Sequence, residues 1–340
     1  MGDSGKNVAN LQDSRRLQCQ TPDSDVYLES GMKKMFSLLI WISYLALAAP
    51  AKSADFASVQ LQQFPTLQPV SLQGLTNNKP TYVKLWASWC QPCLEQMPHF
   101  QQLQQSYGDK VNFVAININI NEQRDAIRQV IQRFGLTMPV WLDQQGKIAV
   151  ALGLVGTPMS VLINSQGQLV YTTHESDQAL DSLLGKLAAG QQLPPADDTS
   201  ISIAAQQQIL APFATGEHLL FFTASWCDWY LAESRPVMSA HCKQAQQGLN
   251  KLAAEFPKAH WQGVVNHLWT DDKALTDFIG LYQLKVPFQI DTGGVLFQHF
   301  NVREIPVLLK IKDGKIVTRI TDFKDMAKVR LSVQQQSTSL

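Results

Sequence analysis

The segment LFFTASWC at 220–227 echoes KLWASWC at 84–90, and a chain that writes one segment twice is constrained above all to fold as two copies of one unit. The two cysteines are offset by 137 residues (227 − 90). FGLTMPVWLDQQG (134–146) and YQLKVPFQIDTGG (282–294) are offset by 148 (287 − 139), an offset that Pro158 and Pro306 keep. The second copy thus carries about eleven extra residues, expected around Val237 to Gly248, where Cys242 lies. At ~150 residues per domain, 340 residues suffice for two cores.

Net charge narrows the function classes. The 28 Lys and Arg cancel the 28 Asp and Glu, which disfavours a nucleic-acid binder or a polybasic membrane-surface protein. Five cysteines are too few for a disulfide scaffold, so each is read from its neighbours.

Met32-Lys33-Lys34, the apolar run Met35 to Ala49 and Pro50-Ala51 have the basic start, short apolar core and small-residue end of a secretory signal. Residues 32–54 are therefore expected to be a signal peptide, with an uncleaved membrane anchor as the alternative. Residues 1–31, polar and without periodicity, read as a non-native or disordered extension ahead of a true start at Met32. Cys19 would then be absent from the mature protein, and Cys90, Cys93, Cys227 and Cys242 would face an exported, oxidising compartment such as the periplasm.

Strands and helices alternate after the signal, which predicts an α/β fold with a mixed sheet in each copy. Asp55 to Leu75 reads as a loosely ordered lead-in. TYVKLWA (81–87) suits a buried central strand, VNFVAINI (111–118) a second one, and EQRDAIRQVIQRFG (122–135) an amphipathic helix stopped by Gly135. The expected divisions are a first domain over 55–189, a linker over 190–200 and a second domain over 201–335.

Trp89-Cys90-Gln91-Pro92-Cys93 falls at the junction of a strand and a helix. A cysteine there meets unpaired N–H groups and the positive helix end, which stabilise a reactive thiolate. Cys90 would be the nucleophile, and Cys93, within one helical turn, would resolve a mixed disulfide. Pro92 fits the first turn, where its missing N–H costs nothing. A zinc half-site would need a second ligand pair, and His99 stands alone as a solvated helix residue. A purely structural disulfide three residues apart would close almost no loop.

With WASWCQPC, Pro98, the FGLTMPVWLDQQG segment, and GTP at Gly156 to Pro158 followed by SVLINSQGQLV, the chain resembles the exported TlpA/ResA/CcmG-like thiol-disulfide reductases of the thioredoxin superfamily over about 55–189. The resemblance implies two tandem thioredoxin-like domains, each a central mixed sheet flanked by helices. It also implies a cis-proline at Pro158, preceded by Thr157, lying against Cys90 and Cys93 and exposing backbone for pairing with a client. That branch commonly has Glu at the position of Gln96, whereas this chain has Glu95, so the proton-transfer role of an acid is open.

The second copy keeps Trp226-Cys227 and Pro306 but has Tyr230 where the resolving cysteine would stand. It cannot run a CxxC cycle, although its thioredoxin-like site could persist as a binding surface. Cys242 is the other thiol of that domain. On one unbroken helix it would lie ~22 Å from Cys227, too far for a disulfide, so pairing requires a break, for which Pro236 and the surplus residues after it offer slack. The alternatives are a relic Cys227 packed beneath Trp226 and Trp229, and a copper or zinc site using Cys227, His241 and Cys242. The remaining histidines, His174, His218, His260, His267 and His299, default to solvated surface.

The leading expectation is an exported enzyme that reduces disulfides of exported client proteins and is recharged by a membrane electron donor of the DsbD/CcdA kind, with no cofactor and no metal. The client could be apocytochrome c, which would give a role in cytochrome c maturation, a copper-centre assembly protein or a general substrate. The other readings are an oxidase or isomerase whose second domain binds clients, and a Cu(I) metallochaperone holding the metal through Cys90 and Cys93.

Overall fold

The computed structural model describes residues 56–75 and 78–334, so the expected signal peptide, the extension before it and Cys19 lie outside the described residues. None of the described helices is long and apolar enough to cross a membrane.

The first half runs β1 (Leu61–Gln63), β2 (Pro69–Val70), β3 (Thr81–Trp86), α1 (Gln91–Tyr107), β4 (Asn112–Asn117), α2 (Arg124–Phe134), β5 (Val140–Leu142), α3 (Lys147–Ala151), β6 (Met159–Ile163), β7 (Leu169–Thr173) and α4 (Gln178–Ala188). The second runs α5 (Ile203–Leu210), β8 (Glu217–Thr223), α6 (Pro236–Glu255), β9 (His260–Val265), α7 (Asp272–Tyr282), β10 (Phe288–Ile290), α8 (Val295–His299), β11 (Val307–Lys312), β12 (Lys315–Ile320) and α9 (Met326–Gln334).

The repeat is visible in the pairing. The first sheet has the order β2-β1-β5-β4-β3-β6-β7 and the second β10-β9-β8-β11-β12. In each, three parallel strands are followed by two antiparallel ones: β3 pairs parallel with β4 and antiparallel with β6, as β8 does with β9 and β11. Every residue of β3 is buried, as a central strand covered on both faces requires. Gly135 ends α2 in the left-handed conformation, φ 57°.

Two expectations need correction. The lead-in before residue 75 is not loose: β1 pairs antiparallel with β2 and with β5, extending the first sheet at its edge, and Leu61, Phe64 and Leu72 are buried in the core. Strands of three and two residues are too short to show a period, which hid them in the sequence. The surplus of the second copy also lies elsewhere. Helix α1 begins immediately after Cys90, whereas α6 begins only at Pro236, so most of the added chain is the turn region between Cys227 and Pro236. Helix α6 then continues unbroken through Cys242.

Candidate functional site

Strand β3 delivers Trp89 and Cys90 to the N-terminus of α1. Cys90 is the N-cap residue, and its Sγ accepts the Cys93 N–H at 3.2 Å. The two cysteines form a disulfide with Cα atoms 5.2 Å apart. Thr157 O lies 3.3 Å from Cys90 Sγ, and the Thr157-Pro158 peptide is cis. Trp89 is fixed by donation from Nε1 to Ile120 O at 2.7 Å. Pro92 sits exposed in the first turn of α1. The sequence-selected group Trp89, Cys90, Pro92, Cys93, Thr157 and Pro158 thus converges on one point.

Glu95 does not join it. It points outward, accepting from Gln91 Nε2 at 3.0 Å one turn back, because it lies on the solvent side of α1. Gln96 faces inward instead. Its Oε1 accepts from Lys84 Nζ at 2.7 Å and its Nε2 donates to His174 O at 2.9 Å. Lys84 is fully buried in β3, and its Nζ also reaches Ser160 Oγ at 3.1 Å, a hydroxyl 2.9 Å from Tyr82 Oη. Burial pulls the Lys84 pKa down to about 7. His174 is exposed, as expected, yet it is also anchored: its Nδ1 lies 2.7 Å from Pro158 O and so ties this polar chain to the cis-proline loop. A lysine within an otherwise apolar strand, TYVKLW, was the one sequence signal for the network. His99 is likewise paired, 3.1 Å from Asp181.

Glu122 is a further residue that the sequence reading did not select. Its carboxylate accepts from Ser88 N at 2.5 Å, Ser88 Oγ at 2.6 Å and Asn117 Nδ2 at 2.8 Å, bracing the turn before Trp89. Burial pushes its pKa up, and these hydrogen bonds oppose the shift.

In the second half Cys227 and Cys242 are joined, with Cα atoms 6.1 Å apart. The long turn before Pro236 brings Cys227 over the second turn of α6, so no break within the helix is needed. Among the described residues no group of three or more His, Cys, Asp or Glu is placed to hold a metal. His241 instead packs on Phe323, with ring centroids 5.8 Å apart.

The two halves meet face to face across the redox motif. Trp89 stacks on Trp226 at 5.1 Å, and Trp269 packs edge-on against both. Tyr230 Oη accepts the N–H of Gln91 at 3.0 Å, and Arg235 Nη2 donates to Ser88 Oγ at 3.0 Å. Cys90 and Cys93 are consequently 0% exposed. The contact is pseudo-twofold. Asn121 and Trp269, offset by 148 (269 − 121), both have φ 51° and both donate their backbone N–H across the seam, to Arg303 O at 2.7 Å and Val155 O at 3.2 Å. A Cβ on Gly156 would lie 2.8 Å from the Trp269 indole, so only glycine lets the loops approach this closely.

The Ile305-Pro306 peptide is cis as well, and its backbone is engaged across the seam: Asn121 Oδ1 accepts from Ile305 N at 2.8 Å and Asn121 Nδ2 donates to Ile305 O at 3.3 Å. His267 is similarly taken up in the seam, its Nε2 2.6 Å from Leu154 O. Arg303 lies in the field of the buried carboxylates Asp143 and Asp291, one from each half. Burial raises both carboxyl pKa values, that of Asp291 to about 7, against the pull of Arg303.

Residues 51–186 match the Redoxin family. The sporulation thiol-disulfide oxidoreductase A of Bacillus subtilis is 26% identical over 137 residues, which is 40% of this chain and 83% of that protein. The thiol-disulfide oxidoreductase ResA of Halalkalibacterium halodurans is 30% identical over 93 residues, 27% of this chain, and the match spans about half, 52%, of that protein. The crystal structure of StoA from Bacillus subtilis superposes with a TM-score of 0.33 at 25% identity, covering 40% of this chain and 98% of that one. The CQPC-bearing half of this chain therefore carries a Redoxin domain and is similar to the ResA- and StoA-like thiol-disulfide oxidoreductases of the thioredoxin superfamily.

Proposed function

We propose that the protein is exported and reduces disulfides of exported client proteins by dithiol-disulfide exchange through Cys90 and Cys93. The observation that carries this reading is the Cys90–Cys93 disulfide held at the N-terminus of α1 against the Thr157-Pro158 loop. In the reduced protein the Cys90 thiolate attacks one sulfur of the client disulfide, and the other sulfur leaves as a thiolate and takes a proton. The Cys93 thiolate then attacks Cys90 Sγ, breaks the mixed disulfide and releases the second client sulfur. Client cystine becomes two thiols, while Cys90 and Cys93 return to the disulfide. A membrane dithiol donor of the DsbD/CcdA kind would restore the reduced pair by the same two steps in reverse. The helix end and its N–H groups would stabilise the Cys90 thiolate.

The reducing direction and the export step rest on the resemblance to the TlpA/ResA/CcmG-like reductases and on the signal-like segment at 32–54. The reduction potential of the Cys90/Cys93 couple tests the direction. A value near thioredoxin's ~−270 mV supports the reductase, and one near ~−120 mV would make the protein an oxidase.

A further inference from the structure

A cleft of about 480 Å³ opens at the seam beside Pro92, and its other walls all come from the second half, Trp226, Trp229, Tyr230, Trp269 and Phe278 among them. Leu281 also lines it. Trp229 is 63% exposed, Leu281 68% and Trp269 43%, so three of the large apolar side chains that this fold leaves open to water gather at one place. Single exposed apolar residues need no explanation, but a cluster around a concave surface marks a contact site.

The chemistry of the occupant follows from how the walls spend their polar atoms. Trp226 Nε1 donates to Leu268 O, Trp229 Nε1 to Ser225 O, and Tyr230 Oη accepts from Gln91 N. Asp277 is held by Lys273 at 2.6 Å. The indole N–H groups of Trp226 and Trp229 are thus already used, and what these rings present to the cleft is mainly aromatic face, which suits apolar side chains. The place of the occupant follows from continuity: Pro92 lies between Cys90 and Cys93 and is itself a wall, so whatever fills the cleft sits next to the redox pair and against the seam that covers it.

We propose that this cleft docks the apolar side chains flanking the disulfide of a client polypeptide, holding an extended segment so that its cystine is presented at the seam over Cys90. The proposal rests on the exchange reading above and adds the recognition step. Docking engages the ring of Tyr230, the residue whose hydroxyl holds Gln91, so occupation of the cleft and uncovering of Cys90 are coupled. The second half, which has no CxxC pair, thereby acquires a role as the client-selecting part of the enzyme.

The test uses the full chain and two short peptides that differ only in the residues beside a central cystine, Phe and Leu in one and Ser and Gly in the other. Binding is measured by calorimetry with serine in place of the peptide cysteines, so that this arm needs no exchange chemistry. The apolar-flanked peptide should bind at least about tenfold more tightly, what burying one large side chain is worth. The preference should vanish in Trp229→Ala/Leu281→Ala, whose targets are exposed enough to leave the core intact, and persist in the remote surface variant Ile316→Ser. Equal affinities for the two peptides, or a preference that survives the double substitution, would overturn the proposal. Turnover of the cystine forms is the second arm. Preferential binding without turnover of either peptide would uphold docking and refute the exchange reading instead.

Discussion

Tyr230 stands where the second copy would need its resolving cysteine, and its hydroxyl accepts the N–H of Gln91, the first residue of the helix that carries the other copy's redox pair. That N–H belongs to the set that would stabilise a Cys90 thiolate. Tyr230→Phe removes the acceptor and leaves the ring. In the reduced protein the Cys90 thiolate should then be alkylated by iodoacetamide several-fold faster at neutral pH. An unchanged or slower rate would mean that Tyr230 does not restrain the site.

Lys84 should leave a mark on the pH dependence of stability. Burial lowers its pKa from 10.5 to about 7 in the folded chain. Below about pH 7 the amine is charged in both states and the full burial penalty is present. Between about pH 7 and 10 the unfolded chain holds a proton that the folded one lacks, so stability rises with pH, by at most ~1.4 kcal/mol per unit. Urea unfolding of the oxidised protein should show this rise, and Lys84→Met should flatten it. Equal slopes in the two proteins would exclude a neutral Lys84 in the folded state.

The Cys227–Cys242 bridge closes a loop of 15 residues. The chain-entropy estimate for such a loop is ~3 kcal/mol. Cys242→Ser should therefore lower the melting temperature by several degrees. Peptide mapping without reduction should recover the two cysteines in one linked pair, and alkylatable thiols at both would remove the bridge from the account.

Arg303 lies in the field of two buried carboxylates, Asp143 across the seam and Asp291 in its own half. Arg303→Leu removes the cation that opposes burial at both carboxyls and should lower stability in urea unfolding at neutral pH. Adding Asp143→Asn should return part of that loss. A variant as stable as the parent would show that the carboxylates are held neutral without the guanidinium.

The CxxC segment, the α/β alternation and the later prolines were legible because each is written in a short segment with its own chemistry. What it missed depends on distant parts of the chain. Glu95 drew attention as an acid near the motif, but helical phase turns it outward and turns Gln96 inward to Lys84, 12 residues away on β3. His267 looked solvated because its partner, Leu154 O, is a backbone atom with no signature in sequence, and the bond that anchors the exposed His174 to Pro158 O was hidden for the same reason. The seam is least legible of all. Asn121 and Trp269 occupy equivalent positions in the repeat yet share no side-chain chemistry, since what they have in common is a positive φ and one N–H directed across the interface.

The central claim is that Cys90 is the nucleophile of dithiol-disulfide exchange. Its most direct test is to incubate reduced Cys93→Ser protein with the apolar-flanked cystine peptide and locate the adduct by mass spectrometry. The expected result is a stable mixed disulfide at Cys90 that is absent from Cys90→Ser. An adduct at Cys227 or Cys242, or continued turnover by Cys90→Ser, would contradict it.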